Sequence, residues 1–264
     1  PVYDRAKYSF GKYERKQIKL KDGFELEAGI TYPPDFHEYN RYPVWIMTYA
    51  GPHAPTVKDG WGGGRVQEQI LASHGVIVLR VDPRSASGKG AQSAWTCYKQ
   101  LGVQELKDLE EAVDWMAKNP WVDASRVGLS GHSYGGFMTS YALTHSKKFS
   151  AGVAGAPVTD WRYYDSIYTE RYMGLPSENK AGYDSTSVVK AAKNLNGKLY
   201  LVHGMIDDNV HPQNSLQLAT ALHAANAEFD MMVYPGHRHG IMSAHYPRSV
   251  VQFVCKAFGL PLKK

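Results

Sequence analysis

The sequence predicts an α/β fold with a mostly parallel central sheet flanked by helices, and three observations carry that reading. Apolar runs short enough to be strands alternate with helical periodicities along the chain, the pattern of strand–helix–strand crossovers. Several of these runs are continuously apolar, Val76 to Val81 among them, which suits strands covered on both faces. A further run, Arg126 to Ser130, leads into Gly131-His132-Ser133-Tyr134-Gly135 and then directly into a helical stretch. That order is a strand, a tight turn and a helix.

Taken in order, Gln17 to Leu20 and Phe24 to Tyr32 alternate in polarity and are joined through Asp22-Gly23, a hairpin signal. Val44 to Tyr49 is a buried strand, Arg65 to Ser73 a helix, and Val76 to Val81 a second buried strand. Gln104 to Lys118 places Leu106, Leu109, Val113, Trp115 and Met116 at helical spacings and closes at Asn119-Pro120. After the tight turn come a helix over Tyr134 to Thr144 and a strand over Ala151 to Ala156. Lys198 to Gly204 is a strand, Asn214 to Ala225 a helix and Glu228 to Pro235 the last strand. Trp161 to Ser187 is the one sizeable insertion, suited to a lid or pocket wall over the C-terminal edge of the sheet. Residues 1–20 are expected to form an N-terminal arm and residues 21–264 one catalytic domain.

Composition narrows the classes. With 43% hydrophobic and 12% aromatic residues in 264, the chain can bury one large core. No segment approaches the roughly 18 uninterrupted apolar residues of a membrane span, and the polar, lysine- and tyrosine-rich opening is no signal peptide. A net charge of +5 raises nucleic acid as a partner. The basic residues, however, gather at the two ends (Arg5, Lys7, Lys12, Arg15, Lys16; Lys256, Lys263, Lys264) and on no single helix, so none is expected. Cys97 and Cys255 are too few for a disulfide framework, and their spacing leaves pairing open. The scattered histidines lack metal-ligand spacing, so neither metal nor cofactor is expected.

The chemistry centres on Gly131-x-Ser133-x-Gly135. A serine at a sharp strand-to-helix turn is an exposed nucleophile, and glycines two residues to either side remove the clashes such a turn creates. The Tyr134 N–H, opening the helix, would point at a developing oxyanion. The plainer alternative is a glycine-rich turn carrying an incidental serine. Against it stand the partners a nucleophile needs, an acid and then a base, each just past the C-terminal end of a strand. Asp207 and Asp208 follow one strand; His237 and His239 follow the last. Residue type alone does not choose within either pair.

Several segments resemble a known family: Trp161 to Gly174, His203 to His211, and the turn Tyr49-Ala50-Gly51-Pro52. From about Tyr42 onward the chain is similar to the catalytic domain of the prolyl oligopeptidase family of serine peptidases, in its dipeptidyl peptidase IV branch. The resemblance implies an α/β-hydrolase fold with Ser133 as nucleophile, Asp207 as the orienting acid and His239 as the base. It implies an oxyanion hole from the Tyr49 hydroxyl and the Tyr134 N–H. It also implies a proline-accepting slot of Tyr134, Val158, Trp161, Tyr164, Tyr168, Asn209 and Val210. A flat aromatic slot does reward a compact apolar ring by contact area. The competing reading makes Trp161, Tyr164 and Tyr168 one core-facing helical stripe.

Two departures stand out: His132 where mammalian members carry Trp, and Pro83-Arg84-Ser85-Ala86 in a loop usually richer in glycine. The family's β-propeller, which grips the substrate's amino terminus, is expected to be absent from this chain, since no repeat of its roughly 40–45 residues occurs. The function expected is therefore a serine peptidase cleaving after proline or alanine through an acyl-enzyme. A carboxylesterase of the same fold and a catalytically inactive binding domain are the alternatives. The resemblance further implies a peptide substrate, a homodimer, and a periplasmic or extracellular location.

Overall fold

The hairpin signal at Asp22-Gly23 is realised as β1 (Tyr13–Lys19) paired antiparallel with β2 (Glu25–Thr31) in the computed structural model, which describes residues 9–58 and 66–262. Then follow β3 (Tyr42–Met47), α1 (Val66–Ser73), β4 (Ile77–Val81), α2 (Ala91–Trp95), α3 (Val103–Met116) and β5 (Val122–His132). The second half holds α4 (Tyr134–His145), β6 (Ala151–Gly155), α5 (Ser166–Met173), α6 (Lys180–Ser185), α7 (Val188–Ala191), β7 (Lys198–Gly204), α8 (Gln213–Ala224), β8 (Asp230–Tyr234) and α9 (His245–Phe258). The strands form one eight-stranded sheet in the order β1-β2-β4-β3-β5-β6-β7-β8. β2 runs antiparallel to both of its neighbours, and all pairings from β4 to β8 are parallel. This is the mostly parallel α/β sheet that the sequence predicts.

Period-two alternation explains the layers. In β3, Val44 and Ile46 face one core while Trp45 faces the other; in β4, Ile77 and Leu79 oppose Val78 in the same way. The larger core takes Leu106 and Leu109 of α3, Met138 and Leu143 of α4, and Leu218 and Leu222 of α8. The opposite core packs Leu71 of α1 and Val251, Val254 and Phe258 of α9 against Trp45, Val153 and Tyr200. Both cysteines are free and buried, Cys97 in the first core and Cys255 in the second, which puts them on opposite faces of the sheet.

Two differences from the sequence reading are informative. The hairpin strand expected over Gln17 to Leu20 begins earlier, at Tyr13, and the edge strand β1 pairs along its full length with β2. Helix α9 has no counterpart in the sequence reading, although Val250, Val251, Val254 and Phe258 recur at helical spacing; Pro247 sits in its first turn, where a missing N–H costs nothing. The insertion from Trp161 to Ser187 holds three short helical pieces. Trp161–Tyr163 is a 3-10 turn, followed by α5 and α6, and all are started by side-chain caps from Asp160, Asp165 and Asn179. Arg65, expected to open α1, lies outside the described residues. Among the described residues no helix is long and apolar enough to cross a membrane.

Candidate active site

β5 ends where α4 begins, and Ser133 turns the corner at φ 62° and ψ −119°. For a residue with a Cβ this backbone costs about 1–3 kcal/mol and must be held by its surroundings. The Ser133 N–H donates to the Gly155 carbonyl at 2.8 Å, and the Ser133 carbonyl accepts from the Phe137 N–H at 2.9 Å. The flanking glycines are there for space. A Cβ on Gly131 would stand 2.5 Å from the Gly135 Cα and from the Thr48 carbonyl oxygen, and one on Gly135 would meet that same oxygen at 2.5 Å. Tyr134 is the first residue of α4, so its N–H has no acceptor within the helix and lies at the positive end of the dipole.

The acid and base loops converge beside this corner. Asp207, in the loop after β7, is 3% exposed. One carboxylate oxygen accepts from the Asn209 and Val210 N–H groups at 2.9 and 3.0 Å; the other is 2.8 Å from His239 Nδ1. Asp208 turns the other way, is exposed, and pairs with the Arg238 guanidinium. His237 stands edge-on to the Tyr234 ring, with centroids 5.7 Å apart. Gly204 lets the loops cross, since a Cβ there would lie 2.4 Å from the carbonyl oxygens of His237 and Arg238. The pairs that residue type left open are thus separated, the aspartates by burial and the histidines by contact: Asp207 and His239 meet, Asp208 and His237 do not join them.

Two histidines support that pair, a task that no motif assigns to either. His203 is fully buried in β7, with Nδ1 2.7 Å from Ser215 Oγ and Nε2 2.8 Å from the Val210 carbonyl and 3.3 Å from the Asp207 carboxylate. Burial lowers its pKa, so it is neutral. His132 donates Nε2–H to the His239 carbonyl at 2.7 Å and packs its ring 4.9 Å from the His239 ring. Burial, reinforced by the neighbouring His239, pushes its pKa down to about 4. The departure from Trp therefore adds a neutral donor behind the His239 loop.

On the other side, the Tyr49 phenol lies within interacting reach of the Ser133 side chain. Burial raises the phenol's pKa and this contact only partly opposes it, so the hydroxyl keeps its proton and can donate. An aromatic cluster continues from there. Tyr134 lies 6.1 Å from Tyr49 and 5.4 Å from Trp161; Trp161 lies 6.0 Å from Tyr168, and Tyr164 meets Tyr168 edge-on at 5.5 Å. These residues do not form one helical stripe: Trp161 is in the 3-10 turn, Tyr164 is extended, and Tyr168 is in α5 behind the Asp165 cap. Tyr164 O–H donates to Asn209 at 2.7 Å, which ties the insertion to the acid loop. Tyr134, Val158, Trp161 and Val210 are buried, Tyr164 and Tyr168 half-buried, and Asn209 exposed. Arg84, in the divergent loop, is held by Asp108 and by Asp22 at 2.7 Å. It braces this loop against α3 and the hairpin turn.

A family model described as the prolyl oligopeptidase family matches residues 64–260, about three quarters of the chain. The chain belongs to the prolyl oligopeptidase family. Among its relatives, a probable dipeptidyl-aminopeptidase B of Metarhizium robertsii is 41% identical over 228 residues, covering 85% of this chain and 25% of that protein. Venom dipeptidyl peptidase 4 of Vespula vulgaris is 36% identical over 247 residues, 90% of this chain and 32% of that one. The crystal structure of Porphyromonas gingivalis dipeptidyl peptidase 4 superposes with a TM-score of 0.92 at 38% identity, covering 97% of this chain and 37% of that one. This member of the family thus spans about a quarter to a third of the length of those curated relatives, and its fold is the α/β-hydrolase fold of its structural neighbours.

Proposed function

We propose that the chain is the catalytic unit of a serine peptidase that cleaves after proline or alanine. The observation that carries this is the Asp207–His239 contact at 2.8 Å, with its carboxylate buried, set beside a serine held at a strained turn. Because Nδ1 is committed to Asp207, Nε2 is the nitrogen left to take the Ser133 proton. Oγ then attacks the acyl carbon, and the oxyanion is met by the Tyr49 O–H and the Tyr134 N–H. His239 passes the proton to the departing amine as the C–N bond breaks, leaving an ester on Ser133. Water attacks that ester through the same groups, and the acid is released as Oγ recovers its proton. The aromatic cluster supplies the proline slot.

The test is hydrolysis of proline-linked anilides with free and blocked amino termini, alongside short acyl esters. Glu170 and Glu178, the two glutamates of the insertion, are both solvent-exposed. The 264-residue chain is therefore expected to cleave proline anilides slowly and to treat free and blocked amines nearly alike. A strong demand for the free amine would show that the chain carries its own amine clamp. Rapid ester turnover with no anilide turnover would make it an esterase. Tyr49→Phe, which removes one donor and little volume, is expected to lower kcat about 10²–10³-fold with a smaller change in KM. A change confined to KM would assign Tyr49 to the slot wall.

A further inference from the structure

Glu105, in the first turn of α3, exposes nothing to solvent. The groups that meet it are donors from three separate segments. Ser85 O–H reaches Oε1 at 2.8 Å, Tyr134 O–H reaches the same oxygen at 3.4 Å, and the Gly102 N–H reaches Oε2 at 3.0 Å. A carboxylate receiving three donors is bonded as an anion.

We propose that Glu105 is a positioning residue for the specificity slot: its carboxylate anchors the Tyr134 phenol and so sets the ring that stands between Tyr49 and Trp161. This rests on the peptidase reading for the slot itself, while the anchor is a property of Glu105 and Tyr134 alone. Tyr134 is doubly placed, since its backbone N–H opens α4 beside Ser133 and its ring touches Trp161 and Phe137 at 5.4 Å each.

The anchor depends on the protonation of Glu105. A proton on Oε2 would face the Gly102 N–H, which cannot accept it. A proton on Oε1 competes with two hydroxyls that both donate there, so one must turn from donor to acceptor. The longer contact, to Tyr134, is the weaker and gives way first. Burial raises the Glu105 pKa to about 7, opposed by its hydrogen bonds and reinforced by the nearby Asp108. The other titratable groups facing it are Cys97, Tyr134 and Tyr141. Burial pushes Cys97 and Tyr141 up to about 12 and Tyr134 well above the usual phenol, so all three hold their protons through neutrality. Arg84, next to Ser85 in sequence, is held by Asp108 and Asp22. The slot should therefore be anchored above neutral pH and loosened below it.

The experiment measures kcat/KM for proline- and alanine-linked anilides from about pH 5.5 to 8.5 and takes their ratio, since titration of the base affects both substrates alike. In the wild type the ratio is expected to rise about threefold to tenfold with increasing pH, with a midpoint near the Glu105 pKa of about 7. In Glu105→Gln, and in Tyr134→Phe, which keeps the backbone N–H, it should be low and independent of pH. The double variant should be no lower than the lower single. A pH-independent ratio in the wild type, or additive losses, would overturn the proposal. An activity-free readout runs beside it: the ¹³C-tyrosine resonance that disappears in Tyr134→Phe should titrate near neutrality in the wild type and stay fixed in Glu105→Gln. If that resonance is flat in the wild type, the anchor is wrong whatever the kinetics. If it titrates but neither anilide is cleaved, the peptidase reading fails while the anchor stands. Should Glu105→Gln not fold, Tyr134→Phe and the wild-type titration decide the matter alone.

Discussion

Ser133→Ala is expected to abolish labelling by a fluorophosphonate probe and to reduce turnover on the order of 10⁴-fold or more. The variant removes one oxygen and leaves the corner intact. The two backbone bonds that hold Ser133, to Gly155 and from Phe137, do not involve the side chain, and alanine meets the same backbone strain at φ 62° as serine does. The melting temperature should therefore move by only a few degrees, on the order of 1 kcal/mol or less. Ser133→Gly gives a second check on the same site. It removes the nucleophile equally but relieves the strained backbone, so it should be as inactive and at least as stable as Ser133→Ala. Labelling that survived in either variant would mean that the covalent chemistry lies elsewhere, and the mechanism proposed above would fall with it.

The sheet was legible in the sequence where a strand is covered on both faces. Val76 to Val81 and Lys198 to Gly204 are nearly continuous apolar runs, and their strands begin and end within a residue of the predicted limits. Edge strand β1 was legible only where Gln17 to Leu20 lead into the Asp22-Gly23 turn; its first half was not, for a physical reason. Glu14 pairs with Lys12 and Lys16 along this edge strand, and such charges guard an unpaired edge while hiding the alternation that identifies a strand. β5 begins as early as Val122, but its first half is polar and pairs with β3 only at Tyr42, so no hydrophobic period marks it. Catalytic geometry was legible to the level of loops. Strand ends fixed which loops would meet; only burial and hydrogen bonding separate Asp207 from Asp208. The roles of Glu105 and His132 lay beyond pattern altogether. Spacing puts Glu105 on the helix face of Leu109 and Ala112 without saying what its carboxylate meets, and a histidine before the nucleophile acquires meaning only once the His239 carbonyl is found 2.7 Å away.

The two adjacent aspartates should differ by orders of magnitude when each is made neutral. In Asp207→Asn the amide has little freedom to choose its orientation. The Asn209 and Val210 N–H groups both point at one oxygen position, at 2.9 and 3.0 Å, and they require an acceptor there. The amide oxygen is held on that side, so the NH₂ group faces His239 Nδ1, 2.8 Å from the position the second carboxylate oxygen occupies. A donor at that place favours the tautomer with Nδ1 bare and Nε2 protonated. Nε2 can then no longer accept the Ser133 proton, and the negative charge that would stabilise the imidazolium is gone as well. Turnover should fall on the order of 10⁴-fold with little change in fold. Asp208→Asn removes instead an exposed partner of Arg238, a contact of the kind worth about 0–1 kcal/mol, and turnover should stay within a few-fold of the wild type. Stopped assays on both purified variants, with circular dichroism as the folding control, give the ranking directly. Were Asp208→Asn the more damaging of the two, the orienting acid would be the exposed neighbour, and the buried carboxylate with its two backbone donors would be a loop brace.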